Sequence, residues 1–195
     1  MNLKLYSFAV ILLLWSGCLI ILDSTERSLS GVIHYDDVSY GVWMRNESYG
    51  YMTITITADD YNQYASIVGN RNHNDRFDDY VTVTPLIDSL SSMMRSGDDY
   101  HDATSMLQFV SLLTYMSDSM LYGHDEYWAY PMEMLYHGAG DCEDAAFLYA
   151  SLLKASGIEY RFLDVPRHLS VIVIIDGTEY RAEPTSGWQL IDRVK

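Results

Sequence analysis

Three side chains in the C-terminal third of the chain, Cys142, His168 and Glu183, are of the types that together transfer acyl groups. A thiolate attacks a carbonyl carbon, an imidazole takes the thiol proton and returns it to the leaving group, and a carboxylate fixes the imidazole tautomer and stabilises its charged form. Cys142 lies in Gly140-Asp141-Cys142-Glu143-Asp144, and the only other cysteine, Cys18, falls in an apolar run near the start of the chain. No intrachain disulfide is therefore expected in the soluble part. The position is where a glycine-punctuated loop becomes a helix, and a helix N-terminus offers unpaired N–H groups and partial positive charge that favour thiolate. That placement suits a nucleophile better than a packing residue. The N–H of Cys142 supplies one donor for an oxyanion; Tyr127, Trp128 and Tyr130, just upstream, are candidates for the second.

The elements that must position these groups are legible around them. A helix is expected from Cys142 to Ser156, stopped by Gly157, with Ala145, Leu148, Tyr149, Leu152 and Leu153 as its inner stripe. Stepping back three from Ala145 puts the sulfur at the tip of that stripe. Three strands follow, 160–165, 168–175 and 178–183, the last two joined by Asp176-Gly177, a strong hairpin signal. With that turn, Ser170 faces Glu183 and His168 faces Thr185. His168 and Glu183 then share a face as diagonal neighbours, with Cβ atoms ~7 Å apart. The expected fold class is α+β, with the cysteine helix packed on an antiparallel sheet.

Upstream, Met52, Ile54 and Ile56 alternate with threonines as in a half-buried strand. Asp59 or Asp60 is expected to cap a short helix, 70–75 to be a loop, and Val81 and Val83 to be extended. Pro85 opens a helix to Met94, and Asp102 is expected to cap the next, with Met106, Phe109, Val110 and Leu113 on its apolar face. Pro131 opens a single helical turn. The remaining histidines, His73, His101, His124 and His137, have no metal-ligand spacing and read as loop or surface residues, and the 17 tyrosines read as packing and rim.

The net charge is −15, from 27 acids against 12 bases. Such a surface repels phosphate backbones, so a nucleic-acid partner is not expected. The aspartate-rich, lysine-poor balance fits a high-salt environment or an ordinary acidic surface. Residues 5–22 form an apolar run without charge, preceded by Lys4 and followed by Asp23 and Glu26, which reads as a membrane anchor or signal segment with the remainder outside the cytoplasm. Trp15-Ser16-Gly17-Cys18 resembles a lipoprotein cleavage box, so a secreted or lipid-anchored form is the alternative. Asn46-Glu47-Ser48 is a glycosylation sequon that matters only on export. The expected organisation is a membrane segment at 1–22, a polar tether at 23–48 and a folded domain at 49–195.

The blocks 130–135, 138–144 and 148–157, with Pro166-Arg167-His168 and Glu183-Pro184-Thr185 in order after them, resemble the transglutaminase-like cysteine peptidase superfamily. The likeness is nearest to its archaeal and bacterial branch with Gly-Asp-Cys-Glu-Asp around the nucleophile, and spans roughly 102–188. It implies a papain-like core, thiol-dependent hydrolysis or transfer at amide (peptide or isopeptide) bonds, a protein or peptide substrate, and the roles given above for Cys142, His168 and Glu183. Many members carry aspartate where Glu183 stands, which leaves Asp164 and Asp192 as alternatives for the third residue. Asp141, Glu143 and Asp144 crowd the thiol with negative charge, which should raise its pKa. They read either as helix-capping and dipole contacts or as calcium ligands, calcium dependence being known among related periplasmic proteinases. No other cofactor is expected. The competing reading is a catalytically silent interaction domain of the same fold.

Overall fold

The computed structural model describes residues 29–33, 37–44, 50–187 and 189–192, with side chains for 54–187 and 189–191. The first sheet is an antiparallel meander of β1 (Leu29–Ile33), β2 (Asp37–Met44) and β3 (Gly50–Thr57). Strand structure thus occupies part of the span expected to be a polar tether. The expected alternation holds in β3, where Ile54 and Ile56 are buried and Thr55 and Thr57 exposed. The apolar run 5–22, Cys18 and the sequon lie outside the described residues. Among the described residues no helix is long and apolar enough to cross a membrane.

Helices fill the middle of the chain. Helix α1 (Ala58–Ala65) is capped by Thr57, not by Asp59 or Asp60: the Asp60 N–H donates to Thr57 Oγ1 (3.1 Å), and Asp60 Oδ2 accepts from the Thr57 N–H (3.4 Å). This reciprocal pair needs the hydroxyl one step outside the helix. A 3₁₀ turn (Phe77–Tyr80) leads to α2 (Pro85–Met93), capped by Thr84. Helix α3 (Asp99–Ser111) begins a turn earlier than expected, because Asp98 is the extended residue that caps it. Asp102 is instead buried and accepts from the N–H and hydroxyl of Ser96, both at 2.6 Å. A short strand β4 (Thr114–Tyr115) and helix α4 (Asp118–Leu121) precede α5 (Pro131–His137), which makes two turns where one was expected. Gly138, at φ 61°, ends α5 and lets β5 (Ala139–Gly140) pair in parallel with β4.

Helix α6 (Cys142–Ser156) ends at Gly157, at φ 76°, as expected. Its burial is broader than one stripe: every residue from Asp144 to Leu153 is buried. Helices α2, α3 and α5 cover one side, and the second sheet covers the other. A helix enclosed in this way is apolar all round, and the five residues expected as its inner face are only part of the contact.

That sheet is an antiparallel array of β6 (Glu159–Val165), β7 (His168–Ile175), β8 (Thr178–Ala182) and β9 (Ile191–Asp192), in that order. Ile175 pairs with Thr178 across the Asp176-Gly177 turn, whose residues have φ 50° and 74°, as a two-residue type I′ turn requires. Leu169, Val171 and Val173 of β7 and Ala182 of β8 join the core with α6. By alternation His168, Ser170 and Ile172 leave β7 on the other face.

Candidate active site

Cys142 is the first residue of α6, so its sulfur sits where the helix tip meets the start of β7. The thiol donates to Glu143 Oε2 at 3.0 Å, and the nearby backbone N–H of Leu169 favours its ionised form. Burial is the largest influence on its titration, the Glu143 hydrogen bond and the charges of Glu143 and Asp141 add to it, and the Leu169 N–H opposes; together they push the thiol up to about 12. The helix N-terminus therefore does not win here: in this state the thiol is protonated at neutral pH.

The imidazole of His168 has its own partner. Its Nε2 lies 2.7 Å from Glu183 Oε2, the pairing the hairpin register requires. Asp164 pairs with Leu169, on the opposite face from His168, and is exposed. Asp192 pairs with Tyr180 at the far edge of the sheet, and its side chain lies outside those described. Glu183 is thus the acid on this histidine. The Ser170 hydroxyl also donates to Glu183 Oε2 (3.1 Å), and Arg181 Nη2 lies 2.5 Å from Oε1. The turn that follows Glu183 is anchored to α3, whose Ser111 hydroxyl lies 3.1 Å from the Pro184 carbonyl and 2.6 Å from that of Gly187.

The thiol bonds Glu143 and the imidazole bonds Glu183; among the described residues no hydrogen bond joins Cys142 to His168. His168 and Leu169 are consecutive on β7, so their side chains leave the strand on opposite faces, with Leu169 on the side of α6.

The acids expected around the thiol divide into two groups that share Asp141. Asp141, Cys142 and Glu143 place ligand atoms within 4.8 Å of one another, and so do Asp118, Asp141 and Asp144. Asp144 is fully buried and accepts from the N–H groups of Ala129 (2.7 Å) and Asp141 (3.4 Å), so it ties the upstream loop to the helix tip. Asp118, 6% exposed, accepts from the Tyr127 N–H through Oδ2 (2.7 Å), while its buried Oδ1 has no partner among the described residues. Burial first, then mutual repulsion, raises Asp118 to about 6 and Asp141 to about 8, and holds Asp144 well above the usual carboxylate range. Gly140 allows this packing, since a Cβ there would stand 2.8 Å from Asp144 Cβ.

The three candidates for a second oxyanion donor are gathered around Arg71 and the aromatic core. Tyr127 and Tyr130 flank the guanidinium of Arg71, at 5.0 and 4.6 Å from ring centroid, and the Tyr127 hydroxyl donates to Glu133 (2.7 Å). Arg71 Nη1 pairs with the fully buried Glu133 at 2.6 Å and donates to the Trp128 carbonyl (3.2 Å). Trp128 packs its ring on Phe77, Tyr80 and Phe147. All three belong to a hub that holds the 127–130 loop against α6. His137, expected at the surface, packs instead among Tyr61, Tyr122 and Tyr136, and burial lowers its pKa.

Sequence reasoning missed Asp118, Ser170, Arg181 and the Leu169 N–H. The register that placed His168 beside Glu183 also places Ser170 opposite Glu183 and Arg181 on the same face, so two of them carried a signal. Asp118 carried none, being brought in by the β4–β5 pairing.

No known family profile matches the chain, and no curated protein matches it. Among solved structures, the chain is similar to one described as a putative cysteine protease from Cytophaga hutchinsonii, at 14% identity and a TM-score of 0.39. That match covers 69% of this chain and 50% of the other, so the chain spans half the length of its structural neighbour.

Proposed function

We propose that the protein is a transglutaminase-like thiol hydrolase or acyltransferase acting on amide bonds of proteins or peptides, with Cys142 as nucleophile, His168 as base and Glu183 as its orienting acid. The observation that carries the reading is the 2.7 Å His168–Glu183 bond at the start of the strand whose next N–H favours ionised Cys142. In the reaction the sulfur leaves Glu143, and its proton passes to His168 Nδ1. The thiolate then attacks the amide carbon, the N–H of Cys142 faces the developing oxyanion, and the imidazolium gives its proton to the departing amine. Water or a second amine then attacks the thioester, regenerating the thiol. Export, with a membrane-anchored or secreted location, is part of this proposal and rests on residues 1–22 alone.

Calcium fits the acidic cluster, because hard oxygen ligands converge there and the buried Asp118 Oδ1 has no partner among the described residues. Asp118, Asp141 and Asp144 would hold it, with Glu143 adjacent. Bound there, the ion would supply the positive charge that the carboxylates around the thiol need. Without it, the protonated thiol bonded to Glu143 favours the second reading, a silent interaction domain.

Iodoacetamide labelling decides between them. With calcium present, Cys142 is expected to react faster than free cysteine at mildly acidic pH, and His168→Ala to slow it. If Cys142 reacts like free cysteine in calcium and His168→Ala changes nothing, the enzyme reading fails and the interaction domain stands.

A further inference from the structure

We propose that Arg181 is a positioning residue for the imidazole–carboxylate pair, acting with Ser170 to hold Glu183 in the one orientation that engages His168 Nε2; this rests on the functional reading above. Two hydrogen-bonding groups and one cation divide the two oxygens of Glu183 between them. His168 Nε2 (2.7 Å) and the Ser170 hydroxyl (3.1 Å) take Oε2, and Arg181 Nη2 (2.5 Å) takes Oε1. Arg181 Nη2 also lies 3.4 Å from the Ser170 hydroxyl, which closes the group into a ring of contacts.

A glutamate side chain has three rotatable bonds, and a single contact to an imidazole leaves much of that freedom to be lost on each encounter. Holding the opposite oxygen with a guanidinium removes that freedom in advance. The Glu183 side chain is only 18% exposed, so a cation beside it also offsets the cost of burying its charge. The Arg181 side chain is 41% exposed, and an ion pair so placed adds little to stability, so its effect falls on orientation.

The sheet keeps this arginine for the task. Arg181 lies opposite Ile172 on β7, and on the far side of Ile172 stands Arg161 of β6. Arg161 is bound through Nη2 to both oxygens of Glu179, each at 3.0 Å. Each arginine thus has its own acid, and the two pairs flank Ile172. The charged groups on the elements around His168 include Asp164 and Arg161 of β6, Arg167 of the following turn, Arg181 and Glu183 beyond β7, and Glu143 of α6. Those of α3, Asp99, His101 and Asp102, lie at its other end, where Tyr100 meets Tyr180 at 5.2 Å. Of these, Arg181 is the cation bonded to the acid of the pair.

The test is carried out on the full chain, with NMR of ¹⁵N-labelled histidine and alkylation of Cys142 in calcium. Arg181→Met keeps the aliphatic stem and removes the guanidinium. Its His168 Nε2–H is expected to exchange with water about tenfold faster or more, as loss of a charge-assisted hydrogen bond implies. Cys142 alkylation should slow in parallel, and Arg181→Lys should restore part of both. If Arg181→Met folds poorly, Ser170→Ala removes the second contact and should show the weaker form of the same change. Unchanged Nε2–H exchange in both variants would overturn the inference. If wild-type Cys142 is inert while Nε2–H exchange still accelerates in Arg181→Met, the functional reading fails and the positioning role stands.

Discussion

At Cys142 the decisive competition is between two carboxylate-bearing partners for one proton. Glu143 accepts the thiol hydrogen at 3.0 Å, whereas Glu183 can act on the sulfur only through His168. Because the Glu143 hydrogen bond and charge both raise the thiol pKa, Glu143→Gln should lower it. In chelator at pH 8, below the thiol pKa, each unit of lowering gives about tenfold more thiolate. Iodoacetamide labelling of Glu143→Gln is therefore expected to run about tenfold faster than wild type; an equal or slower rate would show that burial alone sets the thiol. The sequence exposed the acids around Cys142 and the sign of their effect. It did not expose which one the thiol bonds, because that depends on side-chain torsion at the helix tip.

At the scale of elements, the hairpin and the cysteine helix were legible and the upstream helix caps were not. Asp176-Gly177 demands positive φ at two consecutive residues, so the register of β7 on β8 followed from local chemistry. The N-terminus of α3 did not, since Asp98, Asp99 and Asp102 are all competent caps and the choice fell on tertiary burial of Asp102. The β4–β5 pair was also beyond reach: two-residue strands carry no periodicity, yet this pair brings Asp118 to Asp141 and Asp144.

Two substitutions examine how these elements hold the site. Gly140→Ala would set a Cβ 2.8 Å from Asp144, whose own place is fixed by the Ala129 N–H. It should cost roughly 1–3 kcal/mol in chemical denaturation, as overpacking generally does. Arg71→Met should cost more, about 3–5 kcal/mol, because it leaves Glu133 buried and uncompensated. Pairing it with Glu133→Leu should recover much of the loss. Failure to recover would show that the guanidinium contributes chiefly through its carbonyl and ring contacts.

For the whole molecule, the buried acids make stability depend on pH in a definite direction. Asp118 and Asp141 titrate near 6 and 8 in the folded chain and close to 4 when unfolded. The native state thus keeps protons that the unfolded chain releases, so its advantage is complete below pH ~4 and is lost as pH rises through 6 and then 8. The thermal midpoint in chelator should fall between pH 5 and pH 8.5. The overall charge of −15 works in the same direction, and Asp118→Asn separates the two contributions by flattening the slope. Calcium should raise the midpoint more at pH 8 than at pH 5, and Asp118→Asn should remove most of that response. An equal calcium effect at both pH values would argue against ligation by these carboxylates.

The Arg71–Glu133 contact joins residues 62 positions apart, the Thr82–Ser151 bond spans 69, and the Ser111–Pro184 anchor spans 73. Such long closures give a high contact order, and chains of this kind collapse late and slowly. During synthesis, the first half cannot complete its packing until α6 has left the ribosome. The nascent chain must therefore wait with apolar helices uncovered, and its yield in a cell should depend on chaperone supply more than its folded stability would suggest.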